Sequence, residues 1–150
     1  PDAFAEWAGV RTSSAASTFV GIKRSLTSVA TPIGRAWMLD RDVETARSSQ
    51  PDDTVRLLPS GDTYYLLQGD QRSLLVPRSD RRNLLWTSRV WPGAILANGD
   101  IVGTWRRAKN VLTASLWTRL TRRLRDEIMD EAARLPLPES DGVVQVDFVE

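Results

Sequence analysis

The 150-residue sequence contains no cysteine and no histidine. Without thiols there are no disulfide staples and no thiolate nucleophile, and without imidazole there is no histidine base and no usual zinc ligand set. Any chemistry these residues perform must therefore use carboxylates, carboxamides, hydroxyls, Arg or Lys. No cofactor and no metal are expected either. The acidic groups Asp40, Asp42 and Glu44, and the pair Asp52 and Asp53, are accompanied by no Gly-rich phosphate loop and no second acidic cluster, so they read as a helix start and a solvated linker. No run approaches the ~18 consecutive apolar residues that would cross a bilayer, and no basic-then-apolar leader opens the chain, so a cytoplasmic setting is expected. An internal repeat of about 20 to 50 residues is also absent. Because Pro1 rather than a methionine begins the sequence, the chain is read as a piece of something longer.

What is present is the composition of an ordinary globular protein. With 41% hydrophobic and 26% charged residues, disorder is not the default, and the length suits one domain or two small ones. The 20 basic and 19 acidic residues leave a net charge of +1, too small to signal nucleic-acid binding by itself. Their distribution says more. Residues 101–125 hold seven basic and no acidic residues, whereas residues 126–150 hold eight acidic residues and only Arg134. This polarity suits either a basic patch beside an acidic tail or pairing along one helix.

Along the chain, Asp2 is placed to cap a short helix that Gly9 stops, and Thr12 or Ser13 to cap a second helix. The apolar positions Ala15, Phe19, Ile22 and Leu26, spaced four, three and four apart, predict that this helix runs on to Leu26. Residues 28–31, a Pro32-Ile33-Gly34 turn and residues 35–39 read as a hairpin. Helix, turn, helix and hairpin is the winged-helix order. A short helix over 42–48 and a polar, breaker-rich stretch at 48–53 follow. Beyond it, 55–59 reads as a strand, 64–67 as a short turn or helix, 73–77 as a strand and 78–83 as a charged surface segment. Asn98-Gly99 between apolar runs 94–97 and 101–105 predicts a tight hairpin, because that pair supplies the positive φ values the turn demands. Residues 111–116 should extend the sheet. Leu120, Leu124, Ile128, Ala132 and Leu135 mark an amphipathic helix over 117–135, ended by Pro136 and Pro138, with a final strand-like run over 143–149.

Several blocks, taken in order, resemble the C-terminal part of the bacterial winged-helix DNA-binding proteins related to the crosslink-unhooking alkylpurine DNA glycosylases. They are Phe4-Ala5-Glu6-Trp7-Ala8-Gly9; Arg56-Leu57-Leu58-Pro59 with Asp62 and the run 64–67; the hairpin Asn98-Gly99-Asp100-Ile101-Val102-Gly103-Thr104-Trp105; and Glu131-Ala132-Ala133-Arg134-Leu135. Gly61 departs from the family at a position that is usually aromatic. The resemblance implies upstream winged-helix units of the same protein and a catalytic Gln-x-Gln or Gln-x-Asp segment near the family's N-terminal side. Gln145-Val146-Asp147 spells that pattern far from the family's position and is better read as a terminal strand or tail.

The fold expected is α+β: an N-terminal winged helix over 1–50, then a small antiparallel β unit over 51–150 closed by helix 117–135. The function expected is a DNA-binding module, non-catalytic in this piece, with double-stranded DNA as partner. Ser13, Ser17 and Arg24 on the second helix, Lys23 at its flank, Arg35 at the hairpin turn, and Arg106, Arg107 and Lys109 after Trp105 are the candidate contacts, through phosphate or base edge. Each also has a plainer reading, as a scaffolding helix face or soluble hairpin arginines, and Trp105 itself reads as core. Arg119, Arg122 and Arg123 read as surface cations paired with acids four residues on. Two other functions are compatible: a DNA glycosylase domain acting on alkylated or crosslinked bases with carboxamide and carboxylate groups, and a protein-interaction domain that keeps the winged-helix shape.

Overall fold

A computed structural model describes residues 1–50, 53–66, 71–135 and 144–149. The linker positions 51 and 52, the end of the 64–67 run, the proline stop at 136 and 138, and the beginning of the 143–149 run lie outside the described residues. Contacts divide the chain into two units, Pro1–Gln50 and Pro51–Glu150.

In the first unit, α1 (Asp2–Ala8) ends at Gly9, whose φ of 64° lets the Gly9 and Val10 amides turn back to the Glu6 and Ala5 carbonyls. Pro1, not Asp2, occupies the cap position, and Asp2 sits in the first turn, where its charge suits the helix dipole. Helix α2 (Thr12–Gly21) stops five residues earlier than the apolar spacing predicts. Gly21 is a poor helix residue, and the following Thr27, Val29 and Thr31 are β-branched and pair as a strand. After a single 3₁₀ turn (Lys23–Ser25), Leu26 therefore opens β1 (Leu26–Thr31) and faces Leu39 of β2 (Gly34–Leu39) across an antiparallel hairpin. Helix α3 (Asp40–Ser48) starts with Asp40 and Asp42 in its first turn, and Thr27 Oγ1 donates to the Asp40 carboxylate. Those acids serve the helix start; among the described residues no acidic cluster is arranged to hold a metal. Only Ala5 and Ala15 are buried in this unit, with Phe4 lying 5.8 Å from Phe19 and 6.0 Å from Trp7 between ring centroids.

The second unit is built on β3 (Val55–Leu58), β4 (Gly93–Ala97), β5 (Asp100–Ala108), β6 (Val111–Leu116) and β7 (Gln145–Val149), hydrogen-bonded in that order. The first three pairings are antiparallel, but β7 runs parallel to β6, so the sheet is mixed rather than purely antiparallel. Asn98 (φ 52°) and Gly99 (φ 83°) make the β4–β5 turn from two left-handed residues. Strand β4 is buried on both faces, and its alternation assigns successive side chains to two cores. Ile95 and Ala97 join Val55, Leu57, Leu112, Ala114, Ile128 and Ala132; Ala94 joins Tyr65, Val76, Leu85 and Ile101.

The second core is covered by α4 (Thr63–Leu66), α5 (Arg72–Leu75) and α6 (Ser79–Leu85). Residues 72–75 are helical, not a strand, because a run as short as Leu74-Leu75-Val76 carries no decisive period and burial chooses its conformation. The charged surface segment at 78–83 lies largely in α6.

Helix α7 (Arg122–Arg134) lays Ile128 and Ala132 on the first core and begins five residues later than 117. Thr121 sets that boundary: its backbone is extended and its Oγ1 accepts the Leu124 amide at 3.1 Å. Replacing Thr121 with alanine is expected to cost about 1 kcal/mol, read as a lower urea midpoint with an unchanged slope. A serine there should retain most of the stability. Among the described residues no helix is long and apolar enough to cross a membrane.

Candidate nucleic-acid interface

Ser13 and Ser17 lie one turn apart on the exposed side of α2, opposite buried Ala15. Ser17 Oγ donates to the Ser13 carbonyl at 3.0 Å, which leaves its lone pairs free to accept. Lys23 and Arg24 belong to the 3₁₀ turn after the helix, so Arg24 does not share the Ser13–Ser17 face as the longer helix would have required. Arg35 is the second residue of β2, opposite Ala30 and next to the Pro32-Ile33 turn. Lys23, Arg24 and Arg35 are all exposed and have no acidic or carbonyl partner among the described residues. Their charge is therefore not neutralised within the unit.

Unit two presents its cations differently. Arg106 and Arg107 are consecutive in β5 and so project to opposite faces of the ribbon. Arg106 Nη2 donates to the Val90 carbonyl at 2.8 Å, while Arg107 Nε donates to the Lys109 carbonyl in the β5–β6 turn. Lys109 holds that turn with a φ of 55° and has an exposed side chain. Each guanidinium spends one donor on a carbonyl and keeps its full charge, a geometry that fixes direction without neutralising. Trp105, by contrast, is structural: its indole N–H donates to the Leu58 carbonyl at 2.9 Å and its ring covers Gly93.

Arg122 and Arg123 are paired along α7 with Asp126 (3.9 Å) and Glu127 (2.6 Å), and Arg123 reaches Asp53 at 3.2 Å as well. These bridges hold Arg123 above its ordinary pKa, chiefly through the Glu127 hydrogen bond and then Asp53. Arg119 precedes the helix and lies outside that ladder. Gln145 and Asp147 sit side by side on the exposed face of β7, the amide nitrogen donating to the carboxylate at 2.7 Å.

One set of cations is not singled out by the sequence reading. Arg72 lies over the rings of Trp86 and Trp91, and Arg81 over Trp117. A usable signal exists: residues 71–92 hold five arginines against the single carboxylate of Asp80.

The solved structure of the DNA glycosylase AlkZ from Streptomyces sahachiroi matches 99% of this chain and 40% of its own, with a TM-score of 0.75 and 19% identity. At that identity the likeness is one of fold, and the chain spans well under half the length of that relative. No curated protein matches the chain. A family model described as DNA glycosylase AlkZ-like matches residues 1–136. That match runs through both units and overturns the expectation of a non-catalytic DNA-binding module, since it places these residues inside a glycosylase family rather than beside one. On the strength of residues 1–136, the chain belongs to the AlkZ-like DNA glycosylase family.

Proposed function

We propose that this chain works as part of a DNA glycosylase that releases alkylated or crosslinked bases from duplex DNA. The observation that carries the reading is the family match over residues 1–136. Hydrolysis of a glycosidic bond needs a held water, stabilisation of positive charge on the sugar, and a grip on the duplex. With neither histidine nor cysteine in these residues, groups here can assist the first two through carboxylates, carboxamides and hydroxyls. The third falls to the cations.

In this reading α1, α2 and the β1–β2 hairpin are a winged helix, with α2 facing the groove and the hairpin turn along the backbone. Ser13 and Ser17 accept or donate at phosphates, and Lys23, Arg24 and Arg35 neutralise them. In the second unit Arg106, Arg107 and Lys109 do the same from β5 and its turn. These contacts position the duplex and carry little sequence information.

The test is release of an alkylated purine from duplex DNA by the full-length protein, with Arg24→Ala and the double change Arg106→Ala with Arg107→Ala alongside. Both variants should raise KM with little change in kcat, because phosphate contacts bind ground state and transition state alike. In anisotropy titrations each lost contact should lower the slope of log K against log salt by about 0.9. Wild-type protein that releases no base above background would sink the proposal.

A further inference from the structure

The arginines of residues 71–92 are mostly accounted for within the second unit. Arg78 pairs with Asp80 at 2.7 Å, Arg81 Nη2 donates to the Trp117 carbonyl at 2.6 Å, and Arg82 Nη1 to the Val76 carbonyl at 2.8 Å. Two are not. The guanidinium of Arg72 lies 5.1 Å from the Trp86 ring centre and 5.6 Å from that of Trp91, and its buried Nε has no hydrogen-bond partner among the described residues. Arg89 is exposed, with no acidic partner among the described residues.

Arg89 belongs to the turn between α6 and β4, and Arg72, in α5, lies against two tryptophans of that turn. That turn is stapled from every side. Trp86 Nε1 donates to the Tyr65 carbonyl at 3.1 Å, Thr87 Oγ1 to the Val90 carbonyl at 3.0 Å, and Trp91 Nε1 to the Thr87 carbonyl at 2.8 Å. Arg106 reaches the same Val90 carbonyl from β5. At the tip of this rigid loop the side chain of Val90 is 69% exposed, with Arg89 beside it in sequence and Arg106 bound to its backbone.

Among the described residues no carboxylate is paired with Arg72, Arg89 or Arg106, so their like charges repel one another, and an aliphatic side chain held in water beside them gains nothing in the isolated unit. A nucleic-acid backbone meets both needs, since its phosphates neutralise the cations and its sugars offer an apolar face between them. A membrane surface is a poorer match, because it needs a broad apolar face rather than one valine.

We propose that the turn 86–92 is a backbone clamp for duplex DNA, with Arg89 and Arg106 on phosphates either side of a sugar that Val90 covers, and Arg72 behind them fixing the two tryptophans. The clamp rests on the glycosylase reading and adds residues outside the contacts named for it. Pre-organisation by the indole hydrogen bonds lowers the ordering entropy that the loop backbone loses on binding.

Anisotropy on a labelled duplex across a salt series tests it, with the full-length protein, Arg89→Ala, Val90→Ser, and Arg24→Ala as reference. Arg89→Ala should bind about fivefold more weakly at low salt and lower the slope magnitude by about 0.9. Val90→Ser should bind roughly twofold to threefold more weakly at every salt concentration with the slope unchanged, because an apolar contact releases no counterion. Both side chains are exposed, and an unaltered urea midpoint checks that the fold is intact. If both variants match wild type while Arg24→Ala is weakened, the clamp is wrong and the glycosylase reading stands. Wild type with no salt-dependent binding removes both, and an equal loss of binding to poly-glutamate would reassign the loop to an acidic protein partner.

Discussion

Gly93→Ala should destabilise the second unit by about 3 kcal/mol or more, at the upper end of what overpacking a core does. Gly93 opens β4, and a Cβ built there meets Trp105 Nε1 at 2.2 Å, Trp105 Cε2 at 2.3 Å and the Leu58 carbonyl oxygen at 2.6 Å. The last contact is decisive. A side chain can rotate away, but the Leu58 carbonyl belongs to β3, whose Leu58 is paired with Ala94. The indole cannot retreat cheaply either, since its N–H donates to that same carbonyl. Chemical denaturation read by tryptophan fluorescence gives the midpoint shift. The double change Gly93→Ala with Trp105→Phe should recover only part of the loss, because it relieves the ring clash and leaves the backbone one. Full recovery, or a single variant within 1 kcal/mol of wild type, would mean that the strand shifts freely and that this packing is not what fixes β3 against β4.

Tyr65→Phe should cost about 2–3 kcal/mol although it removes one oxygen. The phenol is fully buried and stands at a junction of three backbone groups. The Pro59 and Pro92 carbonyls lie 2.8 and 2.9 Å from its oxygen, and the Gly61 amide donates to it at 3.1 Å. One hydroxyl proton serves one carbonyl at a time, and the variant serves neither while stranding the amide. Burial raises the pKa of Tyr65 above its ordinary value, with the Gly61 hydrogen bond opposing. The fold therefore favours the neutral phenol. Its contribution is fully present below the unfolded-state pKa of about 10 and is lost as pH rises through the higher folded-state value. Unfolding free energies measured from pH 8 upward should thus fall in alkali, and in Tyr65→Phe that component should disappear. A variant with wild-type stability and the same alkaline decline would rule out the phenol as the junction's anchor.

Some of this architecture is legible from local chemistry. Asn98-Gly99 sits where two left-handed residues are needed, and the four-residue spacing of Leu124, Ile128 and Ala132 places the buried stripe of α7. Gly9 ends α1 for the same conformational reason. The motif blocks around Leu57-Leu58-Pro59 and Gly103-Thr104-Trp105 point to the glycosylase family, whereas not finding the family's Gln-x-Gln or Gln-x-Asp segment at its usual place led to a non-catalytic module that the match over residues 1–136 overturns.

The sequence by itself determined what depends on a residue's own backbone and its near neighbours: where turns need positive φ, which helix carries a stripe, that the class is α+β, and that these 150 residues supply neither thiol nor imidazole. Tertiary structure alone decided the rest. It ended α2 at Gly21 and gave Leu26 to a hairpin, made 72–75 helical, and set β7 parallel to β6. It also laid Trp105 across Gly93 and gathered Arg72, Arg89 and Arg106 around one stapled turn. The reason is physical. Conformational preferences of single residues differ by about 1 kcal/mol or less, so a short apolar run adopts whichever geometry buries it best, and that is fixed by partners tens of residues away in the chain.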